Sequence, residues 1–202
     1  MAETFEGPVT IIGNLEVKKN PPPPGGPIQS AAKVKTGSLV ATFVSASFKV
    51  DTRDLNVTGD ITLENADCAE EFDIEKTSAP HITPGTVVTL GDEGCIRHSN
   101  CAYDKRVAGV VSGGGNYAPG IVLDKRSTDS DRVAIALMGK VACNVDASYG
   151  HVEVGDLLTT SDTPGHAMKA SDASRTFGAV IGKALRPLHE GRALVPILVA
   201  LQ

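Results

Sequence analysis

The sequence has no tryptophan, and only three tyrosines and five phenylalanines among its 202 residues. A core built around large rings is therefore excluded, and Val, Ile, Leu and Ala must fill it. They suffice in number, because 41% of the residues are hydrophobic, and the length suits one large domain or an ordinary domain with an appendage. Val and Ile are stiff at χ1 and suit a pleated surface, so the chain leans towards sheet. No run of about 20 apolar residues exists to cross a membrane as a helix. The opening Met1-Ala2-Glu3-Thr4-Phe5-Glu6 lacks the basic-then-apolar order of a secretory signal, and synthesis in the cytoplasm is expected. A dense basic face is missing too. With 19 basic and 24 acidic residues, net −5, the chain is not expected to bind nucleic acid in general. Lys33/Lys35 and Lys105/Arg106 read as solvated turns or strand edges.

What is present is punctuation. Twenty-one glycines and twelve prolines cut the text into short aliphatic runs, as many short strands with tight turns require. A phrase recurs near the amino end: Ile11-Ile12-Gly13-Asn14-Leu15-Glu16-Val17 and Val57-Thr58-Gly59-Asp60-Ile61-Thr62-Leu63. Aliphatic and mostly polar residues alternate around a Gly-Asn or Gly-Asp bend, giving each strand one face to bury. So small a segment cannot bury that face alone. Ile11, Leu15, Val17, Val57, Ile61 and Leu63 are therefore the expected oligomerisation residues, with other copies of the chain as cover. Between the phrases, Asn20-Pro21-Pro22-Pro23-Pro24-Gly25-Gly26-Pro27 reads as a polyproline II spacer over 20–27. Strand-like text resumes over residues 34–50.

From residue 67 the runs multiply and their order repeats. A Gly-x-aliphatic-aliphatic strand, a second Gly-containing strand and a longer aliphatic strand occur twice, which pairs Gly85 with Gly155 and Gly109 with Gly178. Runs this short fit strands covered on both faces. The expectation is an all-β chain: a strand-rich shaft segment over 1–66, then a barrel- or sandwich-like domain over 67–202 with internal duplication. Only Ala167–Ala170 and Ser171–Arg175 permit a helical turn.

Residues 155–170, Gly155-Asp156-Leu157-Leu158-Thr159-Thr160-Ser161-Asp162-Thr163-Pro164-Gly165-His166-Ala167-Met168-Lys169-Ala170, with Ile181-Gly182-Lys183-Ala184-Leu185 and Ile197-Leu198-Val199-Ala200-Leu201-Gln202, resemble a C-terminal domain of phage tail-fibre and spike-like proteins. Asp67-Cys68-Ala69-Glu70-Glu71-Phe72 looks like the Asp-x-Ala-Glu entry motif of that group, and the resemblance covers roughly residues 65–202. It implies a β-rich domain that trimerises and sets the register of a fibre shaft. It further implies a homotrimer, other particle structural proteins as partners, and a mature location in a virion or extracellular particle. Relatives of the neck-appendage type cleave themselves beside the motif. Carried over, this makes Asp67 and Glu70 candidate acids and the bond before Asp67 the susceptible one. Ala66 stands there, however, where a hydroxyl-bearing residue would offer an internal nucleophile.

The remaining chemistry is sparse. Asp67, Glu70, Glu71 and Asp73 read as an acidic linker, as paired carboxylates for acid–base work, or as a cation site. Cys95, His98 and Cys101 offer two thiols and an imidazole within seven residues. They read as free thiols, as a hairpin disulfide, or as zinc ligands with Cys68 or Cys143. Ser112-Gly113-Gly114-Gly115-Asn116-Tyr117 lacks the Lys-Ser/Thr and following helix of a phosphate cradle and reads as a turn. His81, His151, His166 and His189 stand near Pro and Gly with no nucleophile beside them, as loop residues do. No cofactor and no membrane insertion are expected, and the leading expectation is a self-assembling structural module without enzymatic activity. A glycan- or receptor-binding tip around Tyr103, Tyr117 and Tyr149 is the further alternative, weakened by the shortage of aromatic faces.

Overall fold

Short aliphatic runs bounded by glycine become short strands. The computed structural model describes residues 53–128 and 130–201. Its strands, in chain order, are β1 (Asp67–Asp73), β2 (Val87–Leu90), β3 (Ile96–His98), β4 (Val107–Val111) and β5 (Pro119–Leu123). There follow β6 (Arg132–Asp146), β7 (Leu157–Thr160), β8 (Ala167–Lys169), β9 (Val180–Ala184) and β10 (Arg192–Ala200). The chain divides after Asn56, and all these strands belong to the unit Val57–Gln202. The all-β class expected from composition is observed.

Pairing follows a doubled plan. The C-terminal half of β6 is followed laterally by β10, β9, β7 and β8. A parallel contact of Val145 with Ala167 returns β8 to β6 and closes a five-stranded barrel. Closure removes the open edges that would otherwise invite unwanted pairing. The N-terminal half of β6 repeats the arrangement with β1, β4, β2 and β3. There a parallel bridge of Ile74 with Ile96 takes the place of Val145 with Ala167. Even the irregularities match: β2–β4 shifts register between Val88 and Thr89, and β7–β9 between Leu158 and Thr159.

Gly85 and Gly155, with φ of +93° and +90°, precede the equivalent strands β2 and β7, as the sequence order indicates. The second glycine pairing is corrected. Gly109 lies opposite Val88, and the residue opposite Leu158 is Gly182 rather than Gly178. The helical turn α1 (Ala173–Thr176) lengthens the connection before β9, so equal spacing along the chain misaligns the two glycines. Ala167–Lys169, which permitted a helical turn, is β8 instead. The ladder it forms with β7 supplies backbone partners that a lone turn would not.

The two interiors are filled by aliphatic residues at matching positions but with exchanged sizes. Ala108 of the first ring corresponds to Ile181 of the second, and Ile96 to Ala167, all buried. Exchanging large for small across a pair keeps the total volume that a packed core tolerates. β6 crosses from one ring to the other at Gly139, φ +104°, where a Cβ would lie 2.5 Å from the Ala66 carbonyl oxygen.

The Gly-Asp phrase Val57–Leu63, expected as an alternating strand, forms none. Among the described residues no backbone hydrogen bond ties it to the barrel, and a strand needs such a partner. Ile11, Leu15, Val17 and the proline spacer 20–27 lie outside the described residues.

Candidate functional site

Among the exposed hydrophobics of the described residues, two groupings are extended along the chain or across the sheet. The first is the Gly-Asp phrase itself: Val57, Ile61 and Leu63 are 42%, 63% and 47% exposed. Single exposed aliphatics are ordinary, but three at odd positions of one short run are not. The second is a row across the sheet, in which Ile121 of β5, Cys68 of β1, Met138 of β6 and Ala200 of β10 are cross-strand neighbours. Met138 in this row is 64% exposed, and Ile121 is exposed as well. Among the described residues β5 pairs with β1 alone, so within them its other edge has no strand partner.

Asp67 opens β1 and is buried. The Ser112 hydroxyl donates to its Oδ2 at 2.7 Å, while Oδ1 is buried without a hydrogen-bond partner. Burial pushes this carboxyl above the ordinary carboxylate range, and the Ser112 hydrogen bond partly opposes that. The preceding peptide is held firmly: Ala66 N–H donates to the Ala118 carbonyl at 3.1 Å, and the Ala66 carbonyl accepts from Lys140 N–H at 3.2 Å. Glu70 lies three residues along the strand, opposite Ile135 and Leu123. At about 3.3 Å per residue the two carboxylate-bearing positions stand roughly 10 Å apart. They do not form a proton-sharing pair. Ser112 is the missed neighbour: it is 45 residues away in sequence, in the Gly-rich turn, with no local signal.

Glu71 and Asp73, the other acids of this stretch, turn to Arg132. The Arg132 guanidinium, nearly buried, lies 3.7 Å from each and 2.8 Å from Asp124. Asp124 also pairs with Arg126, and the two guanidiniums hold its carboxyl below the ordinary range. Two acids of this stretch, Glu71 and Asp73, thus join an ion-pair network, and the stretch itself is strand β1 rather than a linker. In the second ring, buried Asp146 accepts from Ser148 N–H, Thr163 Oγ1 and Arg192 Nε. These donors hold it well below the usual range despite the opposing effect of burial.

Cys68, Cys95, Cys101 and Cys143 are all free thiols. Among the described residues no three His, Cys, Asp or Glu side chains converge to hold a metal ion, so Cys95, His98 and Cys101 do not make the suggested site. β3 runs extended between the two cysteines and carries them apart. The tyrosines are engaged internally in part: Tyr103 takes the Arg175 guanidinium 4.5 Å above its ring, and the Tyr149 hydroxyl lies 3.0 Å from Thr163 Oγ1. Tyr117 lines a cleft of about 270 Å³ with Asn116, Arg186 and Leu194.

Histidines that look scattered in sequence come together. His81 and His98 have ring centroids 5.6 Å apart at 69°, and His151 and His189 stand 5.9 Å apart at 36°. The first pair lines a cleft of about 600 Å³ with Thr83, Thr86, Asn144 and His166. This cleft lies where the rings meet, stapled by Gly165: its N–H donates to Ser99 O at 2.7 Å and its carbonyl accepts from Val87 N–H at 2.9 Å. Burial, with help from His81 and Arg97 and against Glu75, lowers the His98 pKa below the ordinary value.

No protein-family model matches the sequence, and no curated protein does. Solved structures similar to this chain include two that each cover 66% of it. One is the C-terminal fragment of gene product 12 of bacteriophage phi29, 15% identical, covered over 100% of its length, with a TM-score of 0.42. The other is the N base of the head fiber gp8.5 in bacteriophage phi29, 18% identical, covered over 90%, with a TM-score of 0.32.

Proposed function

We propose that this chain is a structural, self-associating module of a phage-fibre-like particle, closing as a homotrimer and acting without catalysis. The observation that carries the reading is the bare apolar run Val57, Ile61 and Leu63 immediately before a β-unit whose own interior is already filled. The rings need nothing from this run to complete their cores, so its cover comes from elsewhere. Other copies are the economical source, and a closed ring of them limits growth. Three is the number that the tail-fibre resemblance supplies. Other particle proteins are the remaining partners, and the assembled particle is the place where the mature chain resides. Size exclusion with light scattering on the full chain decides it: three times the 20.9 kDa chain mass is expected, and a clean monomer at micromolar concentration overturns the reading.

One observation favours a second reading, self-cleavage before Asp67. A carboxyl with a raised pKa sits 2.7 Å from the Ser112 hydroxyl, beside the bond in question. Acid–base assistance needs such a group, poised by its surroundings. Intact mass after prolonged incubation tests it, and full-length chain with no fragment starting at Asp67 removes it.

A further inference from the structure

The proposed self-association makes no use of the His81–His98 cleft, which has the makings of a ligand site. Two imidazoles touch edge to face, and no hydrogen bond joins them. His98 Nδ1 is shielded from solvent and makes no hydrogen bond at all. A buried polar nitrogen left unpaired is costly, so native structures rarely keep one without a partner such as water or an ion. The separation is suggestive. Imidazole nitrogens bind zinc at about 2.0–2.1 Å, which places ring centroids about 3.2 Å from the ion and, at a tetrahedral angle, about 5.2 Å from each other. The observed 5.6 Å is within a small side-chain adjustment of that value. Around the pair, Thr83, Thr86 and Asn144 offer neutral oxygens, and no carboxylate lines the cleft. Hard cations such as Ca²⁺ and Mg²⁺ want several oxygen ligands, usually including carboxylates, whereas imidazole suits Zn²⁺, Cu²⁺ and Ni²⁺.

We infer that His81 and His98 form a two-imidazole site for a divalent transition-metal ion at the meeting of the two rings, with solvent in the cleft completing the coordination. Two protein ligands make a site of modest affinity. The ion fixes the turn Ala79–His81 to β3 beside the Gly165 staple.

The test is titration of Zn²⁺ into the full chain, by calorimetry and by thermal unfolding, in a buffer that does not bind zinc. One ion per chain and a zinc-dependent rise in unfolding temperature are expected. His81→Ala, at an exposed position, should weaken binding at least tenfold and abolish the rise. His98→Gln should do the same while keeping a polar side chain in place. His189→Ala, which breaks the other histidine pair, should change neither readout. Absence of zinc uptake overturns the inference. So does uptake that survives His81→Ala and is lost in His189→Ala, because it places the ion on the His151–His189 pair beside Glu153.

Discussion

Replacing Val57, Ile61 and Leu63 together by serine removes the apolar run while leaving the rings intact. Full burial of one such side chain is worth about 1.5–3 kcal/mol. Since these three are already about half covered, association recovers about 1 kcal/mol from each. The triple variant therefore loses about 3 kcal/mol per chain, and at 1.4 kcal/mol per decade the apparent affinity of each chain for the assembly falls about 100-fold. Sedimentation velocity across a concentration series measures this directly, with dissociation moving to higher concentration by that factor. Circular dichroism of the variant should keep the wild-type β signal, because no hydrogen bond joins this run to the described barrel. An unchanged assembly at equal concentration would refute the reasoning, and so would a variant that assembles but unfolds, which would place the run in the fold rather than in the interface.

Gly182→Ala puts a Cβ against the Leu198 carbonyl oxygen, 2.9 Å from its carbon and 3.0 Å from Val199 Cα, so β9 must part from β10. Overpacking and lost ladder bonds together cost about 3–5 kcal/mol, to be read by denaturant unfolding. The equivalent Gly109→Ala, 2.6 Å from Ala136 O, should be similarly damaging, and a benign result in both would refute the alignment of the rings. Asp67 binds its proton more tightly folded than unfolded, so it makes stability fall as pH rises from 3.8 through its raised folded pKa. Asp67→Asn should remove that slope and be at least as stable as wild type at pH 7, as checked by thermal unfolding across pH. Arg132→Ala removes the nearly buried guanidinium that faces Glu71, Asp73 and Asp124, leaving Arg126 as the remaining partner of Asp124, and should lower stability in denaturant unfolding; an unchanged midpoint would show the network to be solvated.

Ring shortage, aliphatic abundance and regular glycines determined the all-β class and the internal repetition from sequence alone. Those signals are local: a Val-rich run such as Val107–Val111 prefers a pleated surface wherever it is placed. Gly85 and Gly155 could be matched because each precedes its strand directly. Gly182 was hidden behind a connection of different length, and only strand pairing identifies which residue faces Leu158. The same limit applies to chemistry. Asp67 was visible as an acid, but Ser112 reaches it from 45 residues away. His81 and His98 belong to a turn and a strand that become neighbours once the first ring forms. Composition and spacing report what each segment favours; ring closure, a sum of many long-range pairings, decided which side chains meet.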